Sequence, residues 1–213
     1  MDRETVFFDL DGTLTDPKRG ITRCIQHALE QLGEPAPVAD DLTWCIGPPL
    51  QQSFATLVGS ERAERALALY RERFSEVGLY ENAVYPGVVE CLTSLVQSGH
   101  RLCVASSKPR VYVERIIAHF ELAEFFDRIF GSELDGTRTD KTDLLRYALG
   151  ETSFDPANCT MVGDRKHDII GALNNGIAPI AVLYGYGSRD ELETAGADRF
   201  VDSAHGLRIA FCD

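Results

Sequence analysis

The chain has 213 residues, enough for one large domain or for one domain with an insert, and its 44% hydrophobic and 25% charged residues are ordinary for a globular protein. A formal net charge of -12 without a basic patch argues against a nucleic-acid binder, and no run of about 20 apolar residues could span a membrane. The N-terminal stretch MDRETVFFDLDG lacks the apolar core of a signal peptide, so we expect a cytoplasmic protein that acts on a small molecule.

The cysteines are spread along the chain, with no CxxC pair and no histidine at zinc-finger spacing. We therefore expect buried free thiols in a reducing compartment rather than disulfides or a zinc site. The six residues are Cys24, Cys45, Cys91, Cys103, Cys159 and Cys212.

Taken in chain order, the first predicted element is a buried strand in the apolar run 5–10, and it is followed by an all-helical block. In that block, apolar spacing and breaker residues predict helices over 19–32, 39–44, 50–58 and 61–77. Further along, the pattern predicts strands over 101–105, 128–131, 158–162, 177–183 and 199–201. Helices are predicted between and around them, over 88–98, 110–119, 142–149, 166–174, 191–195 and 204–210.

Strands that alternate with helices are typical of a parallel sheet covered on both faces. We therefore predict an α/β fold, a Rossmann-like core of residues 1–15 and 81–213 interrupted by an all-helical domain of residues 16–80. Ligands of such sheets bind beyond the carboxyl ends of the strands, so polar residues that follow different strands are expected to converge. These residues are Asp9, Asp11, Ser106, Ser107, Ser132, Glu133 and Asp164.

Asp9 and Asp11 come at the end of the first strand, in FDLDGTL. An EF-hand calcium loop is excluded because its twelfth position, which requires Glu, is Gly20. Residues i and i+2 of a strand point to the same side, where two carboxylates repel each other unless a cation or a proton intervenes. One carboxylate could then act as nucleophile or metal ligand and the other as proton carrier, although two aspartates that merely end a strand are the alternative.

Asp164 and Asp168 lie in GDRKHD, just beyond the strand 158–162. A cluster of carboxylate oxygens suits Mg²⁺, which binds carboxylates, water and substrate phosphate. The alternative is that both aspartates only begin a helix, where acidic side chains favour the N-terminal dipole.

The segment Ser106-Ser107-Lys108-Pro109 and Lys141 could bind an anion. A hydroxyl beyond a strand and the free N–H groups of a starting helix bind anions, although a serine before proline is also a common helix opening. Lys141 is unfavourable for the dipole at a helix start unless it faces a phosphate or carboxylates; a solvated surface lysine is the alternative.

Together these motifs, in this order, resemble those of the haloacid dehalogenase (HAD) superfamily. FDLDGTL is similar to its first motif, VASSKP to the second, Lys141 to the lysine of the third, and VGDRKHDIIGALNNGI to the fourth. The helical block resembles the C1-type cap domain of that superfamily.

The resemblance implies a mechanism with two aspartates in different roles. Asp9 would attack phosphorus to form an aspartyl-phosphate, and Asp11 would act as general acid and then as general base. Mg²⁺ would be bound by the Asp9 carboxylate, the Asp11 backbone carbonyl and Asp164. Asp at position 11 favours a phosphatase or a phosphomutase over the superfamily's dehalogenases and ATP-driven pumps.

The remaining implied roles concern support and substrate. Asp168 would support the metal, and Ser106 and Lys141 would hold phosphoryl oxygens. Further residues are predicted to contact the substrate: Thr13, Ser107, Lys108, Arg110, Gly47 and Pro48. For Lys108 and Arg110 the alternative is an ordinary surface cation, and for Gly47 and Pro48 a plain interhelical turn.

The resemblance places the chain in the phosphoglycolate phosphatase-like branch, and IGPPLQQSF and GDRKHDIIGA look closer to its 5'-nucleotidase-like subgroup. We therefore expect a Mg²⁺-dependent phosphatase, monomeric or homodimeric, that hydrolyses monoesters of small phosphorylated metabolites, such as nucleoside 5'-monophosphates or phosphoglycolate. A phosphomutase of the β-phosphoglucomutase type is the nearest alternative, and a non-catalytic binding module is an alternative from another class.

Overall fold

The structure, a computed structural model, describes residues 4–211. The chain forms two compact units: residues 1–15 and 84–213, here called the core unit, and residues 16–83, here called the helical unit. Within the described residues, no helix is both long and apolar enough to cross a bilayer. Cys24, Cys45, Cys91, Cys103 and Cys159 are buried free thiols, as expected, and Cys212 lies outside the described residues.

The core unit is built on a six-stranded sheet whose neighbouring strands are all parallel. The strands of the chain are β1 (Thr5–Phe8), β2 (Thr15–Asp16), β3 (Ala83–Val84), β4 (Arg101–Pro109), β5 (Arg128–Ser132), β6 (Cys159–Gly163), β7 (Ala178–Val182) and β8 (Phe200–Val201). The order in the large sheet is β5-β4-β1-β6-β7-β8, and β2 pairs with β3.

Helices are present in both units. The helical unit contains α1 (Lys18–Gln31), α2 (Leu50–Val58) and α3 (Ser60–Glu76), together with a 3₁₀ helix over Ala39–Cys45. The core unit contains α4 (Val88–Gln97), α5 (Arg110–His119), α6 (Lys141–Thr152), α7 (Lys166–Asn174), α8 (Arg189–Thr194) and α9 (Ala204–Ala210). The predicted α/β fold with a parallel sheet is therefore confirmed.

Strand β1 lies at the centre of the sheet, and all four of its residues are buried. A strand with neighbours on both edges and helices on both faces needs a continuous apolar run, which TVFF supplies. Phe8 is in register with Val104 of β4 and Val162 of β6, so the end of β1 lies level with these two residues. The chain also changes direction across the sheet at β1, the position where ligands bind in such folds.

Strand β4 is longer than the sequence pattern predicts. It continues past residue 105 to Pro109, because Ser106 still pairs with Gly131 of β5 and, after an irregularity, Pro109 pairs with Ser132. The expectation that Ser106 and Ser107 follow the strand is therefore wrong: both lie within it, and Ser106 is buried and paired with Gly131 of β5.

Two glycines allow close packing inside the helical unit. A Cβ atom on Gly20 of α1 would lie 2.1 Å from the backbone oxygen of Gly78, and one on Gly78 would lie 2.4 Å from Cys24 Sγ. The backbone of α1 therefore touches the turn that follows α3, and no larger side chain fits at this crossing.

We expect Gly20→Ala to lower the free energy of unfolding by about 1–3 kcal/mol, because the added methyl group meets backbone that cannot rotate away. Gly150→Ala is the matched control: this glycine lies on an exposed turn of α6 with nothing within 4 Å of an added Cβ. The control should be neutral or stabilising by up to about 1 kcal/mol. Urea unfolding followed by circular dichroism measures both, and equal midpoints for the two variants would contradict the packing argument.

Candidate active site

The turn after β1 places Asp9, Asp11 and Thr13 at the carboxyl edge of the sheet, where all three are buried. The Asp9 N–H extends the pairing with β6 by donating to Val162 O at 2.9 Å. Gly12 then adopts a φ of +83°, and a Cβ atom there would lie 2.2 Å from Asp164 Oδ2. Both the left-handed backbone and the missing space require glycine at this position.

Three carboxylates meet at this edge. One oxygen from each of Asp9, Asp164 and Asp168 lies within 4.8 Å of the others, and all three side chains are buried. Burial, and then the charges of Asp168 and Asp9, raise the pKa of the Asp164 carboxyl well above its ordinary value. Burial likewise raises the pKa of Asp168, although the neighbouring Lys141 opposes this rise.

The cluster fits a divalent cation. In the part of the chain that the structure describes, Asp164 Oδ1 and Asp11 Oδ1 are buried without a hydrogen-bond partner. Unpaired buried oxygens are costly, and hard carboxylate oxygens of this kind are the ligands that Mg²⁺ prefers. The residues at this edge could therefore hold a metal ion.

Lys141 supplies a positive charge inside the cluster. Its Nζ lies 3.0 Å from Asp9 Oδ1 and 2.7 Å from Asp168 Oδ1, and it donates to Ala105 O at 2.7 Å. Burial by itself would lower the pKa of Lys141, but the charges of Asp168 and Asp9 outweigh that effect and raise it to about 12. The side chain is thus a buried ammonium ion at neutral pH.

Local structure explains how a lysine comes to be buried there. Asp140 caps α6 by accepting from the N–H groups of Thr142 and Asp143, so Lys141 occupies the first helical position, facing the sheet. Gly171 of α7 leaves room for it, because a Cβ there would lie 2.7 Å from Lys141 Cγ.

A second buried ion pair involves Asp11. Lys108 Nζ lies 2.6 Å from Asp11 Oδ2, and the two side chains are only 8% and 10% exposed. Burial raises the pKa of Asp11, and Lys108 counteracts part of that rise. Ser106 is buried beside this pair, and its hydroxyl accepts from the Lys108 N–H at 3.4 Å.

The other residues predicted to contact substrate occupy different environments. Thr13 is buried, and its hydroxyl has no partner within the described residues, while the Ser107 carbonyl accepts from the Ser132 hydroxyl at 2.9 Å. The Arg110 side chain is 56% exposed, and its guanidinium pairs with Glu114 at 3.5 Å on the surface of α5. Gly47 and Pro48 belong to the helical unit, in the segment between the 3₁₀ helix and α2, and their role stays a prediction.

Sequence reasoning missed the segment after β7. The Tyr186 N–H donates to Asp164 Oδ2 at 2.7 Å, and the Tyr184 hydroxyl donates to Thr13 O at 3.0 Å. The only signal in the sequence is the repeated Tyr-Gly pair YGYG over 184–187, beyond a predicted strand.

The arrangement suits transfer of an anionic group. A carboxylate oriented by an ammonium ion can act as nucleophile, a second buried carboxyl can carry a proton, and positive charge beside both can stabilise a phosphoryl group.

Comparisons with known proteins point to the same chemistry. The model of the haloacid dehalogenase-like hydrolase family matches residues 6–182. A protein of Pseudomonas aeruginosa named 5'-nucleotidase is 51% identical over 205 residues, which are 95% of this chain and 93% of the relative. A phosphoglycolate phosphatase of Caulobacter vibrioides is 31% identical, over 93% of this chain and 86% of the relative.

Two further similarities concern a kinase and a solved structure. The tyrosine-protein kinase PtkA of Mycobacterium tuberculosis is 40% identical over 89% of this chain, and the match spans 65% of the kinase's own length. The crystal structure of a predicted phosphatase from Clostridium acetobutylicum has a TM-score of 0.95 at 40% identity, covering 99% of this chain and 98% of that one.

The raised pKa of Asp164 predicts a pH dependence of stability in metal-free buffer. A carboxyl with a raised pKa binds its proton more tightly in the native state than in the unfolded state, so stability is gained as the pH falls toward the unfolded pKa. We expect the thermal midpoint of the unmodified chain, relative to that of Asp164→Asn, to rise as the pH is lowered from neutral toward the ordinary pKa of an aspartate. Calorimetry in EDTA measures this difference, and a gap that stays constant or shrinks would contradict the assignment.

Proposed function

We propose that this chain, which belongs to the haloacid dehalogenase-like hydrolase family and is a phosphatase, depends on Mg²⁺. Its proposed substrates are small phosphate monoesters, nucleoside 5'-monophosphates in particular. The observation that carries the proposal is the contact of Lys141 with Asp9 and Asp168, inside a carboxylate cluster whose member Asp164 keeps one oxygen unpaired. Such a site combines a nucleophile, fixed positive charge and room for a cation.

In this proposal the Asp9 and Asp164 carboxylates and the backbone carbonyl of Asp11 hold Mg²⁺. Asp168 acts in support, since its oxygens already accept from Lys141 and from the Arg165 N–H. When bound, the ion supplies positive charge that offsets both the crowded carboxylates and the phosphoryl oxygens.

Asp9 is the proposed nucleophile. Lys141 engages Oδ1, which fixes the orientation of the carboxylate. An Asp9 oxygen forms a bond to phosphorus as the bond from phosphorus to the leaving oxygen breaks, giving an aspartyl-phosphate. Lys141 and the Ser106 hydroxyl are the proposed contacts of the phosphoryl oxygens, where fixed charge and hydrogen bonds stabilise the transition state.

Asp11 is the proposed proton carrier. It gives its proton to the leaving oxygen and then takes one from the water that attacks the aspartyl-phosphate, which releases phosphate and restores Asp9. Burial favours the protonated carboxyl that the first step needs. Lys108 holds Oδ2, while Oδ1 has no hydrogen-bond partner among residues 4–211.

The substrate proposal rests on similarity. The 5'-nucleotidase relative is 51% identical and the phosphoglycolate phosphatase relative 31%, and the segments IGPPLQQSF and GDRKHDIIGA look closer to the 5'-nucleotidase-like subgroup. We therefore place nucleoside 5'-monophosphates ahead of phosphoglycolate, with Thr13, Ser107 and Lys108 as substrate contacts in the core unit. We also propose that the protein is a monomer or homodimer in the cytoplasm.

We expect Mg²⁺-dependent release of phosphate from p-nitrophenyl phosphate and from a panel of nucleoside 5'-monophosphates, phosphoglycolate and sugar phosphates. EDTA should abolish the release, and added Mg²⁺ should restore it. Asp9→Asn should lower kcat by about 10³-fold or more, because the nucleophile is lost. Asp143→Asn is the matched control, since Asp143 is an exposed carboxylate of α6 that pairs only with Arg146 among its described ion pairs.

Three outcomes would contradict parts of this proposal. Release that is insensitive to EDTA would exclude the metal dependence. Interconversion of sugar phosphates without net release would identify a phosphomutase. If the folded protein turns over none of these compounds, with or without an added hydroxyl acceptor, the non-catalytic binding module is the remaining alternative.

We expect Lys108→Met to lower kcat by about 10- to 100-fold, because Asp11 loses the group that holds it. The pKa of Asp11 should rise further without Lys108, so the limb of the pH–rate profile that reports Asp11 should move to higher pH. Arg146→Met, which removes an exposed cation of α6, serves as the control. Unchanged kcat and an unchanged profile in Lys108→Met would show that the lysine is dispensable.

A further inference from the structure

The segment 184–187, of sequence YGYG and here called the Tyr-Gly loop, follows β7 and surrounds Asp164. We infer that this loop is a positioning element that fixes the Asp164 side chain so that one chosen oxygen is available to the cation. The inference rests on the proposed function, because it assigns a role toward the metal of the same site.

The first observation is that the two carboxylate oxygens of Asp164 differ in their hydrogen bonding. The Tyr186 N–H donates to Oδ2 at 2.7 Å, whereas Oδ1 has no hydrogen-bond partner among the described residues. Asp164 is wholly buried, so Oδ1 is not exposed at the protein surface. When one oxygen of a carboxylate accepts a hydrogen bond from the backbone, the orientation of the other oxygen is fixed. Metal-binding side chains are commonly oriented by hydrogen bonds of this kind.

The second observation is the packing of the two glycines of the loop against Asp164. A Cβ atom on Gly185 would lie 2.4 Å from Asp164 Cβ and 2.4 Å from Gly12 O, and one on Gly187 would lie 2.0 Å from Asp164 O. Neither glycine is among the residues with positive φ, so the backbone angle does not explain them. The lack of space explains both glycines, because the loop lies in direct contact with Asp164 and leaves its side chain no alternative rotamer on that side.

The third observation is the anchor of the loop. The Tyr184 hydroxyl donates to Thr13 O at 3.0 Å, and its ring packs edge-on against Tyr85 with centroids 5.1 Å apart. Burial raises the pKa of the Tyr184 hydroxyl, so it stays protonated and able to donate. The loop is thereby tied to the turn that carries Asp9 and Asp11 as well as to Asp164.

Through these contacts the loop connects the two chain segments that carry the proposed metal ligands. Without it, Asp164 would have to be oriented when the cation arrives, which weakens binding. The sensitive readout is therefore the affinity for Mg²⁺, measured directly, and not only the rate of the loaded enzyme.

The test compares three full-length variants with the unmodified protein: Gly185→Ala, Tyr184→Phe and the control Gly150→Ala. Mg²⁺ is titrated into each metal-free protein by calorimetry, and kcat is measured across Mg²⁺ concentrations. We expect the Kd for Mg²⁺ to rise about 10-fold or more in Gly185→Ala and about threefold in Tyr184→Phe, with no change in the control. In the variants, saturating Mg²⁺ should restore most of kcat.

The outcomes separate the two proposals. If the unmodified protein neither binds Mg²⁺ nor releases phosphate, the proposed function fails. If the unmodified protein does both, and Gly185→Ala and Tyr184→Phe bind Mg²⁺ with the same affinity as the unmodified protein, the role of the loop is overturned. The role is also overturned if kcat of these variants falls at saturating Mg²⁺ while their Kd for Mg²⁺ is unchanged. Should Gly185→Ala not fold, Tyr184→Phe, which removes a single hydroxyl, decides the question.

Discussion

The structure depends on the burial of three carboxylates of like charge around one ammonium group. Asp9, Asp164 and Asp168 are buried, and the charge of Asp9 contributes to the raised pKa of both Asp164 and Asp168. Lys141 compensates two of them, yet three negative charges against one positive charge leave an excess. A buried excess of this kind is stable only if protons or a cation join it, so the same imbalance that costs stability creates a site for a cation.

The fold accommodates this cluster by close backbone packing. A Cβ on Gly163 would lie 2.3 Å from the Asp168 carboxyl carbon, and one on Gly171 would lie 2.7 Å from the Lys141 side chain. Because β1 and β6 are paired in register, Gly12, which follows β1, lies against Asp164, which follows β6. Small residues thus bring the charged groups together, and the charged groups in turn leave no space for larger ones.

The cluster defines a type of chemistry rather than a substrate. Relatives named 5'-nucleotidase, phosphoglycolate phosphatase and tyrosine-protein kinase all match most of this chain, although their names describe different substrates. A carboxylate nucleophile, a proton carrier and fixed positive charge act on a phosphoryl group and its leaving oxygen, whatever the rest of the molecule is. Selectivity among phosphate esters must then lie in residues outside the cluster.

The sequence by itself determined most of the helices and the strands of the large sheet, because hydrophobic periodicity is a local property: α5 and α7 have the bounds that apolar spacing predicts, and the α/β order predicts the parallel sheet. The end of β4 was not determined in this way, because it depends on pairing with β5. Only the tertiary structure decided which charges meet. Lys141 contacts Asp9 across 132 residues of chain, Lys108 turns to Asp11 while Arg110 stays at the surface, and the Tyr-Gly loop reaches Asp164. Such pairings depend on strand order, register and the close approach of backbones, which no local pattern specifies.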